Sequence, residues 1–340
     1  MTTLALQTAL HLLSQGCSLS YDQAYEATFE LARDSAREAQ IGAFLMALRV
    51  KGETREEIWG CAAALRAMAR PVDTSGLQCV DTCGTGGDGS CTLNLSTLAA
   101  FVAAAAGLCV AKHGNRSITS ECGSADLVEE LGLPLQENPE AVRAALLEKR
   151  FAFLFAPFFH AATARVSQVR RALGIRTVFN LLGPLTNPCL PPFQVIGVPE
   201  PRWCQPIAWV VSQLGVDRAM VVCGHGGVDE LVLHGPSQIC MVENGEVTSS
   251  RLEPAELGLS AVPLEALKGG SPDYNAAVSR LILRGEEHPA SSAVALNAAA
   301  VLLVAGMAPD WKEALALSQD LIRSGVVWNW VESMRVGYTQ

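Results

Sequence analysis

Between Asp81 and Asp126 the chain runs DTCGTGGDGSCTLNLSTLAAFVAAAAGLCVAKHGNRSITSECGSAD, two polar loops separated by a run of small apolar residues. In the first loop Gly84, Gly86, Gly87 and Gly89 surround Thr85 and Asp88, and Thr92, Asn94, Ser96 and Thr97 follow before the apolar run from Leu98. Glycine permits positive φ and close backbone approach, and a helix N-terminus offers unpaired N–H groups with partial positive charge. The combination predicts a phosphate cradle. The second loop, Lys112 to Asp126, follows a short apolar strand at Leu108–Val110 and supplies Lys112, His113, Asn115 and Arg116. Ser124 stands where a helix cap would, ahead of Leu127, Val128 and Leu131 at helical spacing. Either loop alone is read equally well as an ordinary tight turn. Both within one α/β unit point to a ligand with several phosphates.

A nucleotide-triphosphate loop closes its glycine run with Gly-Lys-Ser/Thr, but Asp88, Gly89 and Ser90 stand there instead. The dinucleotide fingerprint has a different glycine spacing and a later acid for the ribose. The stretch resembles the anthranilate phosphoribosyltransferase family, whose hallmarks GTGGDG, N-x-S-T, KHGNR and GSAD stand here as Gly84–Gly89, Asn94–Thr97, Lys112–Arg116 and Gly123–Asp126. The likeness runs from about Leu4 to Met334, including QIGAFLMALRVKGET at Gln40–Thr54 and NLLGPLTNP at Asn180–Pro188. It departs from the family pattern at Leu93, at Cys122 and at Ala161–Thr163, beside ligand positions.

The resemblance implies transfer of the phosphoribosyl group of 5-phosphoribosyl 1-pyrophosphate to the amine of anthranilate, with release of pyrophosphate, in L-tryptophan biosynthesis. It places Gly84, Gly87, Asp88, Thr92, Asn94, Ser96, Thr97, Lys112, Asn115, Ser120 and Ser124 on phosphoribosyl pyrophosphate, and Gly84, His113, Asn115 and Arg170 on anthranilate. It implies two magnesium ions per subunit, held by Asp229 and Glu230 of GVDEL and by Ser96. An adjacent acid pair after a glycine-rich turn (Gly224–Gly227) is on its own a solvated turn, but hard carboxylate oxygens facing phosphates also suit magnesium. No general base is implied, because an aryl amine is already neutral. Lys112 and the metal are expected to stabilise the charge growing on pyrophosphate.

The composition narrows the partners. A net charge of −9 argues against nucleic acid or an anionic membrane as the main partner, while local cations leave an anionic substrate open. Eleven cysteines with no C-x-x-C pair suit unpaired thiols in a reducing cytoplasm. The N-terminus has no basic region followed by an apolar core, so no secretory signal is expected. Ala290–Ala308 is apolar but carries Ser291, Ser292 and Asn297, which predicts a buried helix with Asn297 as a hydrogen-bonded core residue.

Residues 1–72 read as helices. Ser20 with Gln23 and Thr54 with Glu57 have capping-box spacing, and Ile41, Phe44, Leu45 and Leu48 form one apolar stripe, Ile58, Cys61, Leu65 and Met68 another. Such helices must pack on the rest of the chain and on a second subunit; the resemblance implies a dimerisation domain of residues 1–72 joined by about 161–187. Residues 73–160 and 188–340 form the expected α/β domain. Strands are predicted at Phe151–Phe155, Gln194–Val198, Ala219–Cys223 and Ile239–Val242, with helices from Asn138–Pro139, at Ala161–Leu173 and at Trp203–Leu214. Apolar β-runs alternating with helices give the fold class: a mostly parallel central sheet flanked by helices, plus a smaller all-helical domain. Two rivals remain at this point, a pyrimidine nucleoside phosphorylase-like enzyme and a noncatalytic nucleic-acid-binding relative. Magnesium dependence discriminates the first; the second wants a basic groove.

Overall fold

The computed structural model describes residues 4–32, 36–117 and 121–336. Four helices come first: α1 (Leu4–Ser14), α2 (Tyr21–Leu31), α3 (Glu38–Lys51) and α4 (Arg55–Met68). Both predicted capping boxes form. Ser20 Oγ accepts from Gln23 N and Gln23 returns the bond to Ser20 N; Thr54 and Glu57 do the same. Glu57 does more than cap: fully buried, it also accepts from Leu19 N at 2.8 Å and pairs with Lys51 Nζ at 2.9 Å. Its charge is thereby fully hydrogen-bonded, the condition under which a buried carboxylate is tolerated.

The α/β part alternates β1 (Cys79–Gly84), α5 (Leu95–Ala105), β2 (Cys109–Gly114), α6 (Ser124–Glu130), α7 (Pro139–Lys149) and β3 (Phe151–Phe155). The chain then leaves the sheet through α8 (Ala156–Phe159), α9 (Ala164–Leu173) and α10 (Phe179–Leu182) and returns as β4 (Phe193–Gly197), α11 (Cys204–Gln213) and β5 (Arg218–Cys223). The strands β6 (Ser237–Glu243) and β7 (Glu246–Leu252) complete the sheet. Four helices close the chain: α12 (Pro272–Leu283), α13 (Ser291–Val304), α14 (Trp311–Arg323) and α15 (Val326–Val336). The sheet order is β3-β2-β1-β4-β5-β6-β7, with β1 to β5 parallel and the last two pairings antiparallel.

Two findings adjust the sequence reading. The last two strands form a hairpin on Asn244-Gly245, both at positive φ (51° and 81°), the dipeptide that a two-residue hairpin turn favours. Polar Glu246–Ser250 conceals β7 from a search for apolar runs because this edge strand is mostly exposed. The strand before the second loop also extends to Gly114, so Lys112 and His113 lie on β2, buried, and not in a loop.

From β1 the chain builds in one direction through β2 to β3 and then crosses to the other side of β1 as β4. The sheet therefore has its switch point between β1 and β4, where a crevice opens beyond the strand ends. One face of the sheet packs on α5, α6 and α12 to α15. Against the other lie α11 and the N-terminal helices, whose Ile41, Phe44, Leu45 and Leu48 share a core with Val166, Val169, Phe179 and Leu182 of α9 and α10. Arg66 of α4 reinforces that junction by donating to Leu185 O at 2.6 Å and Leu214 O at 3.0 Å. Every residue of α13 from Ala293 to Val304 is buried. Among the described residues no helix is long and apolar enough to cross a membrane.

Candidate active site at the switch point

The neighbouring strands β1 and β4 both end in glycine, and Gly84 and Gly197 are register partners. Over this pair sits the loop that follows β5. A Cβ on Gly197 would lie 1.6 Å from Asp229 O, and one on Gly84 would lie 2.3 Å from an Asp229 carboxylate oxygen. Neither position admits a side chain while Asp229 is there. Gly197 escapes a sequence reading that looks for glycine clusters, since its signal is a lone glycine ending a strand.

Asp229 and Glu230 reach back to the first loop. Asp229 Oδ2 accepts from Gly86 N at 2.6 Å; Glu230 accepts from Thr92 Oγ1 at 3.1 Å and from Ser96 N at 3.0 Å. Asp88, on the loop itself, accepts from Ser90 N at 3.1 Å and Asp229 N at 3.4 Å. Burial together with the charge of Asp88 raises the Asp229 carboxyl to about 7, and burial together with Asp229 holds Glu230 well above the ordinary carboxylate range. None of the three is in an ion pair among the described residues. Gly86, Gly87 and Gly89 all take positive φ, and Arg176 donates to the Gly86 and Gly87 carbonyls, tying the loop to the segment after α9. Arg176 lies in GIRTVFN, outside the recognised motifs, and carries no sequence signal of its own.

The other expected residues separate into those at the crevice and those behind it. Asn94, at the N-terminus of α5, donates to Cys122 O at 3.2 Å and so bridges the two loops. Thr97 is fully buried, with its hydroxyl unpartnered among the described residues and its N–H on Asn94 O. Lys112 is buried with Nζ on Thr82 O at 2.6 Å, beside Asp81. Asp81 is in turn held by Asn187 Nδ2 at 2.9 Å, and burial raises its carboxyl to about 6. Asn115 is exposed and bonds Arg116 N at 2.8 Å. Arg116 is engaged by Asp126 and Glu129, each at 2.7 Å, so the second loop offers less free charge than its composition suggests. Ser124 is not the cap. Gly123 holds that position, Asp126 accepts from Gly123 N at 2.9 Å, and Ser124 is the first helical residue, donating to Asn115 O at 3.3 Å. A Cβ at Gly123 would stand 2.2 Å from Ser117 N, so the cap cannot be a serine. Ser120 lies outside the described residues.

A second cluster lines the segment between α9 and β4. His113 and His160 meet edge to face at 5.1 Å, and both have a buried Nε2 without a partner among the described residues. His113 Nδ1 lies 3.2 Å from Gly183 O, which requires the proton on Nδ1 and leaves Nε2 an acceptor. Burial lowers His113 to about 3 and His160 to about 4, so both rings are neutral. Arg170 stacks over Phe179 at 5.6 Å with its Nε buried and without a partner among the described residues; burial lowers its pKa. Phe179 opens α10, and Gly183, the His113 partner, directly follows that helix.

The family model described as glycosyl transferase family, a/b domain, matches residues 76–327, and that described as its helical bundle domain matches residues 7–69. The anthranilate phosphoribosyltransferase of Moorella thermoacetica is 46% identical over 335 residues, 96% of this chain and 99% of that protein. That of Chloroflexus aurantiacus is 49% identical over 298 residues, covering 87% and 88% of the two chains. The crystal structure of the Thermus thermophilus enzyme superposes with a TM-score of 0.90 at 45% identity, covering 96% of this chain and 98% of that one. The Saccharomyces cerevisiae enzyme in complex with PRPP and Mg superposes with a TM-score of 0.89 at 28% identity, covering 98% of each chain.

Gly197→Ala is expected to displace the Asp229 turn and abolish most activity while the distant helical core stays folded; activity within about twofold of wild type would contradict that seat. Acid stability gives a second check. His160 has a folded pKa below its ordinary 6.5, so its contribution is present above 6.5 and lost as pH falls towards about 4. Denaturant unfolding from about pH 6.5 to 4.5 should therefore show a shallower loss in His160→Asn than in wild type, by up to one proton or about 1.4 kcal/mol per pH unit.

Proposed function

The chain belongs to the anthranilate phosphoribosyltransferase family, and from that premise we infer that it transfers the phosphoribosyl group of 5-phosphoribosyl 1-pyrophosphate to the amine of anthranilate. The products are N-(5-phosphoribosyl)anthranilate and pyrophosphate, a step of L-tryptophan biosynthesis. The observation that carries the reading is the buried pair Asp229 and Glu230, bonded to the glycine loop at the sheet's switch point and lacking any ion-pair partner among the described residues.

Those carboxylates fit magnesium. They are hard oxygen donors whose pKa values are raised first by burial and then by neighbouring carboxylates, both of which a cation would offset. No cluster of three candidate ligands occurs among the described residues, which suits a metal that takes one or two carboxylates and completes its shell with water and substrate phosphates. Asp229 and Glu230 would hold it, with Ser96 at a second ion, two per subunit. When bound, magnesium supplies Lewis-acid neutralisation of the leaving pyrophosphate.

The chain's own groups supply the rest. Gly84, Gly87, Asp88, Thr92, Asn94, Ser96 and Thr97, with Asn115, Ser120 and Ser124 from the second loop, form the proposed phosphoribosyl pyrophosphate site. The positive-φ glycines let backbone N–H groups approach the phosphates, and Asn94 fixes the two loops to one another. Lys112 adds a buried positive charge behind Thr82, where low polarity extends its reach towards the leaving group. Arg170, with Gly84, His113 and Asn115, is assigned to anthranilate: a planar guanidinium without an internal acid suits the carboxylate. The bare Nε2 acceptors of His113 and His160 suit the two N–H bonds of an aryl amine, orienting its lone pair towards C1. Attack at C1 expels pyrophosphate with the bonding pair, and the surplus amine proton departs afterwards to solvent, so no strong base is called for.

The domain division follows the same reading. Residues 1–72 with about 161–187 form the helical domain, supported by their shared core, and the exposed Leu4 and Val50 support an apolar contact with a second copy in a homodimer. Eleven free cysteines support a cytoplasmic setting, and the acidic net charge supports small-molecule substrates over nucleic acid or membrane partners.

Anthranilate fluorescence followed on the purified protein should fall only when phosphoribosyl pyrophosphate and magnesium are both supplied. Loss without magnesium would favour a phosphorylase-like site, and no loss at any magnesium concentration would refute the assigned transfer. Arg170→Ala should raise the anthranilate KM by roughly 10- to 100-fold, the scale of losing one charge-assisted hydrogen bond, with phosphoribosyl pyrophosphate affinity nearly kept. Equal loss of both affinities would remove Arg170 from the anthranilate site.

A further inference from the structure

Asn297 is the one polar side chain in the buried stretch Ala293–Val304, and it is only 5% exposed. Its Oδ1 accepts from Leu231 N at 3.0 Å while its Nδ2 donates to Leu231 O at 2.8 Å and to Ala293 O at 2.9 Å. The amide thus pairs with both main-chain groups of one residue, as a neighbouring strand would. Leu231 directly follows Glu230, within the segment that joins β5 to β6 without regular structure from Gly224 to Pro236. Among the described residues the side chains of Asp229 and Glu230 are bonded to the glycine loop and to the start of α5, groups that the proposed substrate site also uses. An amide bonded to main chain on both sides is indifferent to that exchange.

Helix α13 does not need this residue. An isosteric leucine would continue the apolar surface, whereas burying an unpaired amide is unfavourable. The retained amide is explained by what it holds.

We propose that Asn297 is a positioning residue that fixes the main chain of the Asp229–Glu230 turn from outside the site, and so sets the Asp229 carboxylate over Gly84 and the Glu230 carboxylate against Thr92 and Ser96. The proposal rests on the reading of those carboxylates as magnesium ligands. The Asn297 amide bonds main-chain groups of Leu231 and Ala293, so its loss weakens magnesium and phosphoribosyl pyrophosphate binding through the turn and leaves anthranilate binding alone.

The test compares wild type, Asn297→Leu, Asn297→Asp and the packing control Leu302→Ala in the full-length protein. Wild-type activity and its magnesium dependence come first; if these fail, the functional reading fails and not the positioning role. Given an active wild type, Asn297→Leu should raise the half-saturating magnesium concentration and the phosphoribosyl pyrophosphate KM by roughly tenfold or more, with the anthranilate KM within about twofold. The upward shift in Tm that magnesium with phosphoribosyl pyrophosphate produces, read without turnover, should shrink in parallel. Asn297→Asp keeps the acceptor for Leu231 N–H and loses the donor to Leu231 O and Ala293 O, so a shift in the same direction is expected; it carries the test if the leucine variant does not fold. Leu302→Ala should lower the Tm without moving either magnesium readout. A lower Tm in the Asn297 variants with unchanged magnesium half-saturation, or equal rises in both KM values, would overturn the proposal.

Discussion

The acid turn can occupy the centre of this molecule only because two adjacent strands end without side chains. Gly84 and Gly197 are paired across the sheet, and atoms of Asp229 fill the space where both Cβ atoms would be. That contact joins chain segments far apart in sequence and puts carboxylates, glycine loop and the α5 N-terminus in one crevice. The location follows from topology. Reversal of the winding at β1 and β4 separates the loops that leave their ends, and the gap between them is where loops from both directions converge in a parallel sheet.

The same crevice concentrates groups whose charges are unfavourable in isolation. Burial, and after it repulsion among Asp88, Asp229 and Glu230, shifts the latter two upwards. Asp81 is buried too, but its environment is resolved within the protein: Lys112 stands beside it and Asn187 donates to it. Asn187 also donates to Ala111 O and accepts from Cys189 N, so one asparagine ties the segment before β4 to β1 and β2. The contrast separates the two acid groups. Asp81 is compensated internally; the acid turn has hydrogen bonds and only the more distant charge of Arg176, and is suited to an external cation.

The sequence carried most of the fold and much of the site, unevenly and for physical reasons. The strand at Phe151–Phe155, the helix from Pro139 and both capping boxes are legible because each depends on local spacing. The edge strand β7 is not, since its exposed polar side chains lack the apolar run that marks a buried strand. Glycine clusters announce the first loop, yet Gly197 is single and its necessity arises from Asp229, on a loop beyond the next strand. The cationic reading of KHGNR fails in part for a similar reason: composition counts charges, but the fold sends Lys112 into the sheet and pairs Arg116 with Asp126 and Glu129. Arg176 and Asn187 act through backbone carbonyls and a buried acid, partners that no motif reveals.

Twelve buried side-chain polar atoms have no hydrogen-bond partner among the described residues, and three of them stand on residues assigned to the anthranilate side: Nε of Arg170 and Nε2 of His113 and His160. Protein interiors rarely leave such groups unpaired, because desolvation without a hydrogen bond is unfavourable by about 1–3 kcal/mol each. Their chemistry is complementary to an aryl amine with an adjacent carboxylate: one cationic donor and two neutral acceptors. Neutrality matters here. A protonated imidazole would donate and would repel positive character on the ribose, whereas burial holds both rings in the acceptor form across the physiological range. On the proposed reading the amine is oriented by lone pairs and not deprotonated by them, and the demanding part of the reaction, charge separation at the leaving group, is assigned to the acid turn and the glycine loop.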